Sequence, residues 1–148
     1  MSTAVVLDST PLGILCHPRN PPYVLACRQW VADLLRAGRR VILPEIADYE
    51  IRRDFILRNA MIAQANLNAY SGQLEYLPLN TATMQHAAEL WAQVRRVGKP
   101  TAADHALDGD VILAAQALSL GVPVIVATGN PAHLSRFVPT DDWRNIPP

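Results

Sequence analysis

Cysteine is nearly absent from these 148 residues, with Cys16 and Cys27 the two present. Two cysteines make neither a disulfide framework nor a zinc set, so both are expected reduced and partly buried. Lysine is scarcer: Lys99 is the one lysine among 13 basic residues. Neither sign of charge is in excess, because 13 acids balance 13 bases. No global field therefore steers a partner, and a nucleic-acid role needs a local site. The arginine bias mildly favours phosphate partners, since guanidinium binds phosphate bidentately. Genomic composition accounts for that bias more simply. No apolar run reaches the roughly 18 residues of a spanning helix. No charged segment followed by an apolar one marks a secretory leader. A soluble, cytoplasmic protein is expected. The chain also lacks a phosphate-binding G-x-x-x-x-G-K-[ST] loop, a G-x-G-x-x-G fingerprint and a G-x-S-x-G elbow.

What is present is ordinary for a globular protein: 50% hydrophobic and 18% charged residues, which suits one domain over 1–148 with a real core. There are no internal repeats and no low-complexity tract. Ala4 to Asp8 reads as a short buried strand ending in a carboxylate, with Ser9, Thr10, Pro11 and Gly13 as the turn after it. Asp8 itself is either a turn or capping residue, or an acid of a metal or phosphoryl site. The proline-rich HPRNPP loop (17–22) precedes an amphipathic helix, Tyr23 to Ala37. Arg36, Arg39 and Arg40 follow as a solvated face or, less simply, a basic patch for an RNA backbone.

Arg40 to Leu43 is a second strand, and Pro44 opens the helix PEIADYEIRRDFILRN. In it, Asp48 and Arg52 are spaced to pair. Glu45, Asp48 and Asp54 are expected to face solvent. Glu50 shares a face with Ile46 and Leu57 and leans inward, where a carboxylate needs a partner such as Arg53, or a metal. The helix is expected to run on from Ala60 to Tyr70, until Ser71-Gly72. Leu74 to Leu79 is an edge strand, and Asn80 or Thr81 caps a helix to Val97. Gly98-Lys99-Pro100 stops it.

Asp104, Asp108 and Asp110 lie in an acidic connection where the next helix begins. Val111 to Leu120 is apolar nearly all round, as in a helix buried on several sides. Gly121 ends it. Val122 to Ala127 is a β-branched run typical of a parallel strand covered on both faces. Thr128-Gly-Asn130 turns the chain at that strand's carboxyl end. A short helix or turn with His133 and an edge strand complete the chain, with Trp143 packed on the core.

Alternating strands and helices imply right-handed crossovers and a mostly parallel sheet of about four or five strands. In such a sheet Asp8, Glu50, Asp108 or Asp110, Thr128 and Asn130 converge on the carboxyl edge. Clustered carboxylates repel each other unless a cation joins them, and hard oxygen ligands select Mg²⁺ or Mn²⁺. Such a cation polarises a phosphoryl oxygen and activates water.

In this order, VVLDST, PEIADYEIRR, GDVILAAQAL and VIVATGNPAHLSRF resemble the PIN-domain family, close to its VapC-type toxin branch. The resemblance spans nearly the whole chain. It implies a three-layer α/β/α sandwich and a Mg²⁺- or Mn²⁺-dependent ribonuclease. Asp8, Glu50 and Asp110 would be the metal-binding acids, with Glu45 of the same PEIADYE segment as the alternative to Glu50 and Asp108 as a further candidate. Thr128 and Asn130 would orient ligands or water. A homodimer and a small antitoxin protein are the implied partners. Asn130 departs from the aspartate that many relatives carry, which weakens a second metal position. Leu7-Asp8-Ser9-Thr10 also resembles the nucleophile strand of haloacid-dehalogenase-like phosphatases, but Thr10 replaces their second aspartate.

Overall fold

The computed structural model describes residues 2–98 and 104–148, with side chains in the second stretch from Leu107 onward. Lys99 to Ala103, which include most of the expected helix stop, lie outside the described residues, as does the side chain of Asp104. The strands are β1 (Ala4–Leu7), β2 (Val41–Pro44), β3 (Glu75–Leu77), β4 (Val124–Thr128) and β5 (Thr140–Asp142). The helices are α1 (Ser9–Leu15), α2 (Pro22–Arg36), α3 (Glu45–Leu57), α4 (Met61–Gln73), α5 (Thr81–Val97), α6 (Asp104–Ser119) and α7 (Pro131–Leu134). The five strands are all parallel, in the order β3-β2-β1-β4-β5.

Side-chain alternation divides the core between the two faces of this sheet. Val5, Leu7, Val41, Leu43 and Ala127 point to one face, with residues of α1, α2 and α4 and most of α3 packed on it. Ala4, Val6, Ile42, Val124 and Val126 point to the other, under α5 and α6. β1 and β2 are buried throughout. Period-two alternation on a sheet covered on both sides gives this three-layer α/β/α sandwich. The chain runs outward from β1 to β3, then returns to place β4 on β1's other side. The crevice between β1 and β4, beyond their carboxyl ends, is therefore the topological switch point of the sheet.

Several expectations from sequence are corrected. Ser9 to Gly13 is not a turn but most of helix α1. Pro11 is tolerated because the first-turn N–H groups of a helix lack internal partners anyway. Helices α3 and α4 are separate, because Asn59 adopts a left-handed φ of 54° between them. Leu57 points to solvent, so it does not share an inward face with Glu50. Asp48 is buried rather than solvent-facing, held by Arg52 at 2.7 Å and by the Tyr76 hydroxyl at 3.1 Å. Glu45 accepts the Leu79 N–H at 2.6 Å and so pins the exit from β3. Helix α6 starts before Asp108 and Asp110, so neither opens it. The expected exposed roles do hold for Asp54, which pairs with Arg58 at 2.7 Å.

One buried polar residue ties together the elements that carry the acids. Gln116 of α6 is fully buried. Its Oε1 accepts the Ile46 N–H of α3 at 3.1 Å, and its Nε2 donates to the Leu77 carbonyl at 2.8 Å. The Ile46 N–H belongs to the first turn of α3 and has no helical partner of its own. Gln116→Leu leaves both backbone groups unsatisfied, so a loss of about 2 kcal/mol is expected. Urea unfolding checks it, and an unchanged midpoint contradicts the assigned role.

Candidate functional site

Asp8 stands at the switch point as the last residue before α1. Its Oδ1 accepts the Ser9 N–H at 2.7 Å, which caps the helix. Its Oδ2 accepts the Thr128 hydroxyl at 2.7 Å. Its own N–H donates to the Ala127 carbonyl at 2.9 Å and extends the β1–β4 ladder by one bond. The carboxylate is thus fixed by three elements at once. Oδ1 also accepts the Ser9 hydroxyl at 3.4 Å, and Oδ2 keeps a further lone pair for another donor or a cation.

Glu50 and Asp110 are brought to the same edge from α3 and α6. Both are half-buried. Burial raises the Glu50 carboxyl above its ordinary range, and the charges of Asp8 and Asp110 raise it further, against Arg53. Burial likewise raises Asp110, with Asp8 adding to it and His133 and Arg136 opposing. Three acids here destabilise one another as anions. Gly109 explains how Glu50 fits: a β-carbon there would stand 2.8 Å from Glu50 Oε2. A glycine beside Asp110 therefore leaves room for the Glu50 carboxylate where it stands. Gly129 plays the matching part beside Thr10, whose Cγ2 would lie 2.6 Å from a β-carbon.

The remaining candidates divide. Thr128 is buried and bonded to Asp8. Asn130 is exposed and joins the network through its backbone N–H, which donates to Thr128 Oγ1 at 3.2 Å. Asp108 is exposed and lines a groove with Met84, Trp91 and Val111, on the α5 side. Two residues apart on a helix project in nearly opposite directions, so Asp108 and Asp110 cannot serve one point. The Arg36–Arg40 cluster lies elsewhere. Arg39 and Arg40 precede β2, at the amino edge of the sheet. Arg36 pairs with Asp33 at 2.9 Å, Arg39 donates to the Thr3 carbonyl at 2.8 Å, and Arg40 Nε donates to Glu75 at 2.9 Å.

Sequence reasoning missed Ser9 and Gly109 as parts of the site. The signal for Ser9 was a hydroxyl residue directly after a strand-ending acid. For Gly109 it was a glycine between two aspartates within a helix.

The donor set consists of hard carboxylate oxygens that repel one another, which suits Mg²⁺ or Mn²⁺ rather than zinc. Among the described residues no group of three acidic, histidine or cysteine side chains is placed closely enough to hold a metal ion, so a cation would have to draw the acids together. Asp8, Glu50 and Asp110 are the residues that would hold one.

Neither a protein-family model nor a curated protein matches the chain. Solved structures do match in fold. One is VapBC2 from Rickettsia felis bound to a DNA fragment from its promoter, at 14% identity and a TM-score of 0.72, covering 95% of this chain and 99% of that one. Another is VapBC-1 from nontypeable Haemophilus influenzae, at 22% identity and a TM-score of 0.69, covering 97% and 100%. A third is DNA-bound VapBC from Salmonella typhimurium, at 20% identity and a TM-score of 0.66, covering 96% and 99%. The fold is PIN-like. At these identities the likeness establishes the sandwich and not the chemistry. Among the described residues of this PIN-like sandwich, no helix is long and apolar enough to cross a membrane.

Two predictions follow the electrostatics and the close approach. Raised carboxyls mean that the folded protein keeps protons the unfolded chain has lost. The stability they contribute is fully present below the ordinary carboxylate range and is lost as pH rises through the raised values. In chelator, Glu50→Gln and Asp110→Asn should each be more stable than wild type at pH 7, with the gap shrinking toward pH 4. Denaturation at both pH values decides, and a pH-independent gap contradicts the repulsion. Gly109→Ala should keep or slightly raise the melting temperature, since alanine favours helix by about 0.5–1 kcal/mol. It should also displace Glu50 and abolish any stabilisation by added Mn²⁺. Unchanged Mn²⁺ stabilisation contradicts the close packing.

Proposed function

We propose that this chain is a Mg²⁺- or Mn²⁺-dependent ribonuclease that hydrolyses RNA phosphodiester bonds, and that it is the toxin half of a toxin–antitoxin pair. The observation that carries the reading is the convergence of Asp8, Glu50 and Asp110 from β1, α3 and α6 on the carboxyl edge of a parallel sheet. In such sheets ligands bind at the switch point, and Asp8 stands there. The nearly full-length likeness to chains of VapBC complexes supports the second part, as does the sequence resemblance to VapC-type toxins.

When bound, the divalent cation supplies charge that polarises the phosphoryl oxygen and lowers the pKa of water. The chain's own residues do the rest. Thr128 and the Ser9 N–H hold the Asp8 carboxylate in one orientation, so it need not reorganise as substrate arrives. Glu50 and Asp110 hold a negative field that a naked phosphate avoids, which makes productive binding depend on the cation. His133 and Arg136, whose charges act on Asp110, are placed to favour a phosphate on the α7 side.

Ile56, Leu57, Met61 and Ile62 are each more than half exposed where α3 meets α4. A cluster of this kind fits an interface, either with an antitoxin or with a second copy in a homodimer. The exposed Asn130 favours a second reading, an RNA-binding module without turnover. Asp8→Asn separates the two. The variant should lose at least about 100-fold in metal-dependent cleavage of single-stranded RNA, since even outer-shell changes at metal sites cost 10–100-fold. Equal cleavage by wild type and variant contradicts the nuclease site, and RNA binding without cleavage by either supports the second reading.

A further inference from the structure

A groove of about 460 Å³ opens from the acidic edge between α1 and α3. Its size is within the ~300–1,000 Å³ of small-ligand clefts. Glu50, Ser9 and Thr10 form the end that it shares with the acids, so whatever lies in it is adjacent to the reacting centre. Its floor is apolar: Ile14, Ile51 and Phe55. Gly13 leaves the floor low, because a β-carbon there would meet only Ile51 Cγ2, at 4.0 Å. At the mouth stand His17 and Tyr23, ring centroids 6.1 Å apart and 83° between planes. Tyr23 is 53% exposed although it is aromatic and lies in the first turn of α2. The His17 ring is pinned, since its Nδ1 accepts the Arg19 N–H at 2.9 Å. An edge-to-face pair leaves ring surface available for a third ring.

We propose that this groove holds an unpaired nucleobase of the RNA substrate, next to the phosphate at the acidic edge. The proposal rests on the RNA reading of that edge and adds how the strand is gripped. Charge decides between base and phosphate as occupant. The groove carries Glu50 and Asp54 against one cation, Arg58, which Asp54 already pairs at 2.7 Å. A phosphate is repelled there. A base is neutral, stacks on aromatic surface, and offers amino groups that carboxylates accept. The Arg58 guanidinium lies 5.8 Å from the Phe55 ring centre and lines the groove beside it.

The test uses the full chain carrying Asp8→Asn, so that bound RNA stays intact, with Mg²⁺ present. Anisotropy measures binding of a short labelled single-stranded RNA and of the same backbone made abasic. The intact strand should bind at least about tenfold more tightly, the scale of one base–aromatic stack. Tyr23→Ala and, separately, Gly13→Leu should remove most of that advantage and leave abasic binding unchanged. Tyr23→Phe should retain it. Tyr23 is exposed, so its variants keep the fold, which circular dichroism verifies. Equal binding of intact and abasic strands overturns the proposal, as does full base-dependent binding in both Tyr23→Ala and Gly13→Leu. Base-dependent binding by a protein whose wild type cuts no RNA leaves the groove assignment standing and removes the nuclease reading. Cleavage by the wild type without base-dependent binding does the reverse.

Discussion

The orientation of the Asp8 carboxylate is the constraint on which the site depends. One oxygen caps α1 and the other receives the Thr128 hydroxyl. The same side chain thus starts a helix, fastens β4 to β1 and anchors an acidic edge. An N-capping aspartate alone contributes about 1 kcal/mol of helix stability. Here the cap also fixes a charge where two other carboxylates approach. The cost of that approach is visible in Glu50 and Asp110, both raised by burial and by Asp8. Positive charge brought to this edge would lower both.

Around this edge the fold supplies rigidity from interactions unrelated to metal or substrate. Gln116 ties α6 to the start of α3 and to the end of β3. Asp48, Arg52 and Tyr76 tie α3 to the edge strand β3. On the far side, Trp30 donates to the Ile146 carbonyl at 2.8 Å and packs against Trp143 at 5.6 Å, which fastens the C-terminal segment onto α2. Glycine at 109 and 129 leaves room for the side chains of Glu50 and Thr10 beside the acids.

Much of this was legible in the sequence because it follows from periodicity. The buried strands, α2, α5 and α6, the Asn80 cap and the turn at Gly121 are written in local pattern. So is the convergence of Asp8, Glu50 and Asp110, once a parallel sheet is assumed. The failures share one cause, which is tertiary context. Asp48 looks like a surface acid until Tyr76 is brought over it from β3. Helix α1 reads as a turn because serine, threonine, proline and glycine are turn residues, yet the Asp8 cap outweighs them. Asp108 and Asp110 look equivalent in sequence, and only the helix starting ahead of both separates their directions. The role of Gly109 depends on Glu50, 59 residues earlier, and no local signal records that approach.

Calorimetric titration of Mn²⁺ into the wild type and into the Asp8→Asn/Asp110→Asn double variant tests the central claim most directly. The account predicts saturable binding by the wild type, with loss in a double variant that remains folded. Absence of binding to the folded wild type at millimolar Mn²⁺, or equal binding by both proteins, would contradict it.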